Sequence, residues 1–168
     1  SSSGAYFNIA NIFHGQKKFC NANEFYKKGI LLKVDHDDSY NNFANSCASL
    51  GKNENAIALY CRALVINPKN GTSFNNLATT QNKLAIYEGA VTNLKRALVL
   101  APNVASAYNN VGFSYYKIGR TYESLANLNR ALQIDPLLFE AYNNIALAQG
   151  DLAQLKDADN NSCKSILI

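Results

Sequence analysis

Asparagine doublets return along this chain at one fixed interval. The motif reads AYNN at Ala107–Asn110 and again at Ala141–Asn144, SFNN at Ser73–Asn76, SYNN at Ser39–Asn42, and a degenerate AYFN at Ala5–Asn8. The second asparagines, Asn8, Asn42, Asn76, Asn110 and Asn144, stand 34 residues apart throughout. A carboxamide carries both a donor and an acceptor, which matches the pattern of a peptide unit. A row of them can grip an extended backbone with little regard for its side chains. Asparagine is also a mediocre helix former, because its amide competes for nearby backbone groups. Its regular return inside helical segments therefore calls for a reason.

The elements that position these residues follow from the same interval. Pro68, Pro102 and Pro136 are also 34 apart, and a fixed period of this size marks a repeat array. Five units follow, at 3–36, 37–70, 71–104, 105–138 and 139–168, the last one incomplete. Each reads as two helices. In the fourth, Tyr108, Val111, Gly112 and Tyr115 recur at helical spacing until Ile118-Gly119-Arg120 breaks it. Leu125, Leu128, Ala131 and Leu132 resume it until Asp135-Pro136. Glycine supplies the turn, and the residue before proline is pushed out of helical geometry. Gly51 and Gly119 hold the inner turn, with Ala85 and Ala153 in that place in two other units.

The 34-residue period and the order of large and small residues resemble the tetratricopeptide repeat, whose pattern is W-x2-L-G-x2-Y, then A-x3-F, then P. The large slot holds Tyr6, Tyr40, Phe74, Tyr108 and Tyr142, followed by Ile9, Phe43, Leu77, Val111 and Ile145, and by the small residues Ala10, Ala44, Ala78, Gly112 and Ala146. In the second helix the small slots are Ala22, Ala56, Ala90, Ser124 and Ala158, then Gly29, Ala63, Ala97 and Ala131. Between them stand Tyr26, Tyr60, Leu94 and Leu128. Some positions depart from the pattern. Val34 replaces the first expected proline, and Cys47, Gln81 and Gln149 replace the aromatic that closes the first helix. Ser162 and Ser165 replace packing residues in the fifth unit. The fold the resemblance implies is all-α, a right-handed superhelical solenoid of antiparallel helix pairs.

In arrays of this family the first helices line the concave inside, and the resemblance places the asparagines there. The expected peptide-binding set is Asn8, Asn42, Asn76, Asn110 and Asn144, with Asn41, Asn75, Asn109 and Asn143 beside them. Asn11, Asn45 and Thr79 extend the strip, and Lys83 and Lys117 lie at its turn end. It resembles the asparagine ladder in the repeats of O-linked N-acetylglucosamine transferase. The bland alternative is that these amides solvate the groove or brace a neighbouring repeat. The cochaperone version of the fold grips a terminal carboxylate with basic residues. The corresponding places here hold Phe7, Asn41, Asn75, Asn109 and Asn143, or Gly4, Asp38, Thr72, Ser106 and Glu140, none of them basic. The expected partner is thus an extended protein segment without a required acidic C-terminus. Two other readings stay open: a scaffold that self-associates through uncapped ends such as Ile166-Leu167-Ile168, or the substrate-recruiting arm of a larger glycosyltransferase.

The remaining features argue against other classes. A net charge of +4 in 168 residues is mild and does not by itself predict nucleic acid. Lys28, Arg62, Arg96, Arg130 and Lys164 repeat with the period on the second helices, where a solvated face with paired carboxylates is expected. No apolar run is long enough for membrane insertion. Cys20, Cys47, Cys61 and Cys163 lack metal-ligand spacing. They read as free thiols of a reducing compartment, the cytoplasm. The sequons at Asn70 and Asn160 carry little weight in so asparagine-rich a chain. His36 lies among Asp35, Asp37 and Asp38 at a repeat junction, where helix capping accounts for the acids. No phosphate-binding glycine loop or nucleophile motif is present, so neither an enzyme nor a cofactor is expected. The opening Ser1-Ser2-Ser3-Gly4 and the lack of any methionine read as a processed chain or a piece of a longer one.

Overall fold

The computed structural model describes the backbone of residues 2–32 and 35–166, and the side chains of residues 2–32 and 35–153. Val34 and the side chains of Ala158, Asn160, Ser162, Cys163, Lys164, Ser165 and Ile166–Ile168 lie outside the described residues. Nine α-helices and no strand are found among the described residues. They are α1 (Ser2–Gly15), α2 (Phe19–Leu32), α3 (Asp37–Ser49), α4 (Asn53–Ile66), α5 (Gly71–Lys83), α6 (Tyr87–Leu100), α7 (Ala105–Lys117), α8 (Thr121–Ile134) and α9 (Phe139–Ile166). The chain divides into two compact units, Ser1–Ala101 with α1 to α6 and Pro102–Ile168 with α7 to α9.

Local chemistry sets the helix boundaries. At the start of α3, His36 accepts the Ser39 amide on Nδ1 at 3.2 Å, and Asp37 and Asp38 sit in the first turn against the helix dipole. At the start of α5, Asn70 Oδ1 accepts the Ser73 amide at 2.9 Å. Asn70 and Asn67 also donate from Nδ2 to Asp37 Oδ2, at 3.0 and 2.8 Å, tying the start of one helix pair to the start of the next. Burial works to raise the Asp37 carboxyl, but the hydrogen bonds from Asn70, Asn67 and nearby backbone amides outweigh it and hold the group below its ordinary value. The second helices end on Asn67, Ala101 and Asp135, whose amides each reach back to the fourth preceding carbonyl at 2.8 Å. Proline follows each of these residues and cannot continue the helix.

The inner turns share one backbone form. Lys17, Gly51, Ala85 and Gly119 have φ of 58°, 73°, 58° and 77°. Each is flanked by paired reverse bonds of the kind Lys52 N to Cys47 O, 3.0 Å, and Gly51 N to Ala48 O, 3.1 Å. This is the left-handed helix stop that favours glycine. Lys17 and Ala85 adopt it at a cost of about 1 kcal/mol, which is offset where a well-formed second helix folds back.

The small slots are where helices meet. Ala10, Ala22, Ala44, Ala56, Ala63, Ala78, Ala90, Ser124 and Ala131 are wholly buried. At Gly112 a Cβ would stand 2.5 Å from Leu128 Cγ, so only glycine lets α7 and α8 approach this closely. The substituted aromatic slots are settled in different ways. Cys47 is buried and accepts from Asn23 Nδ2 at 3.6 Å, Gln81 Oε1 accepts from Asn93 Nδ2 at 2.9 Å, and Gln149 is exposed.

The fifth unit departs from the expected helix pair. No turn forms at Ala153, and α9 runs on as one helix of 28 residues. Tyr142 is 51% exposed where Tyr40 and Phe74 are each 7% exposed, and Ala146 is exposed as well. Ala153 has no glycine's freedom to turn, and serine replaces the large apolar residue that holds the other second helices back. Nothing offsets a left-handed alanine here. Ile9 also departs, lying exposed while Phe7 takes the buried place in α1.

Candidate peptide-binding site

In the first unit α1 packs on α3 and α3 on α5, while among the described residues α2 does not reach α4 and α4 does not reach α6. The first helices therefore touch one another directly and the second helices do not, so α1, α3 and α5 form one wall. Asn8, Asn11, Asn41, Asn42, Asn45, Asn75, Asn76, Thr79 and Lys83 all belong to these three helices.

Carboxamides link this wall from one repeat to the next. Asn42 Nδ2 donates to Asn11 Oδ1 at 3.3 Å. Asn76 Nδ2 donates to Asn41 Oδ1 at 3.2 Å and to Asn45 Oδ1 at 3.1 Å. Ser73 Oγ donates to Asn41 Oδ1 at 3.2 Å. From behind the wall, the Tyr26 hydroxyl donates to Asn11 Oδ1 and the Tyr60 hydroxyl to Asn45 Oδ1, each at 2.6 Å. Burial pushes both phenols up to about 12. Asn11 and Asn45 thus take two hydrogen bonds on one oxygen, which fixes the orientation of their amides.

The members of each doublet part ways. Asn41 is 7% exposed and committed to Ser73 and Asn76, so it faces the neighbouring repeat and not the open wall. Asn75 is half-buried, with Oδ1 covered and without a hydrogen-bond partner, and its backbone carbonyl accepts from Thr79 Oγ1 at 2.9 Å. Asn8, Asn11, Asn42 and nearby Asp38 line a hollow of about 330 Å³ between α1 and α3. Asn45, Asn76, Thr79 and Lys83 line a second of about 300 Å³ between α3 and α5, with Tyr60 at its back.

The second unit repeats part of this arrangement. Asn144 Nδ2 donates to Asn109 Oδ1 at 2.9 Å, and Asn109 is only 9% exposed. Asn110 is half-buried and its carbonyl accepts from Ser114 Oγ at 2.7 Å. Asn143 is exposed. The Lys117 ammonium lies 5.4 Å from the centroids of both the Phe113 and Tyr116 rings.

On the second helices, Lys28 lies over Phe25 at 5.2 Å, Arg96 over Phe74 at 5.7 Å, and Arg130 donates to Gln133. These cations rest on rings or an amide in place of the carboxylates expected for them. Among the described residues no three His, Cys, Asp or Glu side chains gather as metal ligands would, and no helix is long and apolar enough to cross a membrane.

Sequence reasoning missed the two struts, Tyr26 to Asn11 and Tyr60 to Asn45. The signal for them was present. Asparagine stands 15 residues before the second-helix slot where that slot is tyrosine, and Thr79 and Phe113 stand there where it is Leu94 or Leu128.

No curated protein matches the sequence significantly. Among solved structures, the chain resembles MamA 41-end from Desulfovibrio magneticus RS-1 with a TM-score of 0.87 at 17% identity, over 99% of this chain and 94% of that one. It resembles YrrB, described as a TPR protein with an unusual peptide-binding site, with a TM-score of 0.78 at 24% identity, over 88% and 76% of the two chains. A third likeness is to the first TPR of Spaghetti (RPAP3) bound to the HSP90 peptide SRMEEVD, with a TM-score of 0.68 at 23% identity, over 70% of this chain and 93% of that one. These likenesses show a shared fold. A tetratricopeptide repeat model matches residues 37–70 and 105–136, and a TPR repeat model matches residues 87–119. The matched segments span 37–70 and 87–136, half of the chain. The matches at 37–70 and 105–136 coincide with the helix pairs α3/α4 and α7/α8, the match at 87–119 takes in α6 and α7, and the chain belongs to the tetratricopeptide repeat family.

Proposed function

We propose that this chain is a protein-interaction module that holds an extended peptide segment against the carboxamide wall of its first helices. The observation that carries the reading is how the amides are turned. Asn11 and Asn45 spend their oxygens on tyrosine hydroxyls and the next repeat's amide, so their Nδ2 groups have no partner among the described residues. Asn76 is the reverse, with both amide hydrogens spent and its oxygen left over. Asn11 lines the first hollow, and Asn45 and Asn76, one of each kind, line the second. An extended backbone offers carbonyls and amides in alternation and needs this mixture. The peptide ligand of the RPAP3 relative and the peptide-binding site described for YrrB support the same class of partner. A terminal carboxylate needs several charged donors for a strong grip, and the two hollows offer one lysine, Lys83, with Asp38 lining the first. Internal segments are therefore the expected ligands, and amidating a peptide's C-terminus leaves its affinity unchanged.

The test uses peptides selected from a random library on the intact chain. Replacing Asn11 and Asn45 with aspartate keeps the oxygen that each tyrosine needs and removes the outward N–H groups. Affinity for the selected peptides falls by about tenfold or more, roughly the worth of one or two lost hydrogen bonds to carbonyls. The urea unfolding curve serves as the control for folding. Unchanged affinity in a folded variant overturns the reading.

A further inference from the structure

The second helices of the first unit leave a trough on the side away from the asparagines. α4 and α6 both pack on α5 but do not reach each other among the described residues, and the gap between them has a volume of about 700 Å³. Phe74 and Leu77 of α5 form its floor, and both are buried beneath it. Its walls include Val65 and Val99, which are 70% and 84% exposed and carry the apolar surface of the floor out to the rim as one patch. The lining carries two cations, Lys95 and Arg96, and no carboxylate. The Arg96 guanidinium leans over the Phe74 ring.

We propose that this trough is a second binding site, for an amphipathic helix with an aliphatic face and acidic flanks. The helical form follows from what the trough lacks. Its two carboxamides are bonded to each other, Asn93 Nδ2 donating to Gln81 Oε1, which leaves only Gln81 Nε2 and Asn93 Oδ1 for a ligand, a single pair of groups where an extended backbone needs a row of them. A helix satisfies its own backbone and asks only for apolar contact, which the floor and walls supply. Lying between α4 and α6 and on α5, it would pack against three helices at once. The acidic flanks follow from Lys95 and Arg96, which complement carboxylates at the rim and repel a basic helix. A flat lipid surface meets the protruding valines but does not reach the recessed floor. The site owes nothing to the carboxamide wall and stands or falls apart from it.

The probe is a fluorescein-labelled model helix of about 18 residues with leucines at i, i+3, i+4 and i+7 and glutamates beside them. Its counterpart has lysine for every glutamate. A third arm uses vesicles of phosphatidylcholine and phosphatidylserine in equal parts. The acidic helix binds saturably, and Val65→Asp with Val99→Asp weakens it about tenfold or more, as does Lys95→Glu with Arg96→Glu. The two valines are exposed enough that the fold tolerates their loss, and the charge-reversal pair gives a second reading if it does not. Asn45→Asp leaves this binding unchanged. No saturable binding of the acidic helix, equal binding of the lysine helix, or binding to vesicles alone overturns the proposal.

Discussion

The pair α3/α4 and the pair α5/α6 are successive copies of one design, yet they fill the same two places differently. Behind the wall, α3/α4 uses Tyr60 and ties its hydroxyl to Asn45, whereas α5/α6 has Leu94 in that slot and Thr79 on the wall. At the inner turn, α3/α4 has Gly51 and α5/α6 has Ala85, in the same left-handed conformation. One copy turns on the residue that suits the geometry and braces its wall with a polar strut. The other relies on an apolar plug with no hydrogen bond to satisfy. The repeat thus fixes shape while leaving each slot's chemistry open, provided that slots in contact change together.

The sharpest way to break that coupling is to put one copy's solution into the other. Leu94→Tyr forces ring atoms and a hydroxyl into a wholly buried slot facing threonine, and should cost about 2–4 kcal/mol in urea unfolding. Adding Thr79→Asn should return about 1 kcal/mol by supplying the acceptor that Asn45 gives Tyr60. No recovery in the double variant would mean the slots are independent.

A weaker effect tests the struts themselves. Tyr26 and Tyr60 ionise at about 12 in the folded chain against about 10 when unfolded. The unfolded chain therefore loses these protons first. Their contribution is fully present below pH of about 10 and is lost as pH rises toward about 12. The double Tyr→Phe variant should be less stable at neutral pH by about 1 kcal/mol per hydroxyl, with a flatter alkaline limb. An alkaline limb unaltered by the substitutions would place the titration elsewhere. The smallest effect lies at the turns. Ala85→Gly should stabilise by about 0.5 kcal/mol and Gly51→Ala destabilise by about 1 kcal/mol, read as opposite shifts in Tm.

Much of the fold was legible because period and residue size are carried along the chain. Gly51 and Gly119 announced their turns, and the alanines of the small slots announced the helix contacts. The candidate site was legible only in part. Asn41 and Asn42 look alike in sequence, but one step along a helix turns the side chain by about 100°. The first is then spent between repeats, while the second lines a hollow. Spacing says nothing about which donor an amide accepts from, so the struts and the direction of each carboxamide needed coordinates. The uninterrupted α9 escaped for another reason. A turn at Ala153 depends on a second helix worth folding back, and Ser162 stands where that helix needs a large apolar side chain.

Asp37 is held by two carboxamides, and one of them, Asn70, is followed directly by Gly71. Asparagine before glycine is chemically fragile, because the next backbone nitrogen can attack the side-chain amide with no side chain in its way. Deamidation there, where it ends in aspartate rather than isoaspartate, would spare the α5 cap, since a carboxylate serves that role as well. It would turn a donor 3.0 Å from Asp37 into a second negative charge, and a stitch into a repulsion. Slow chemical ageing of this chain would accordingly open the seam between α3 and α5 while the buried small slots stay intact.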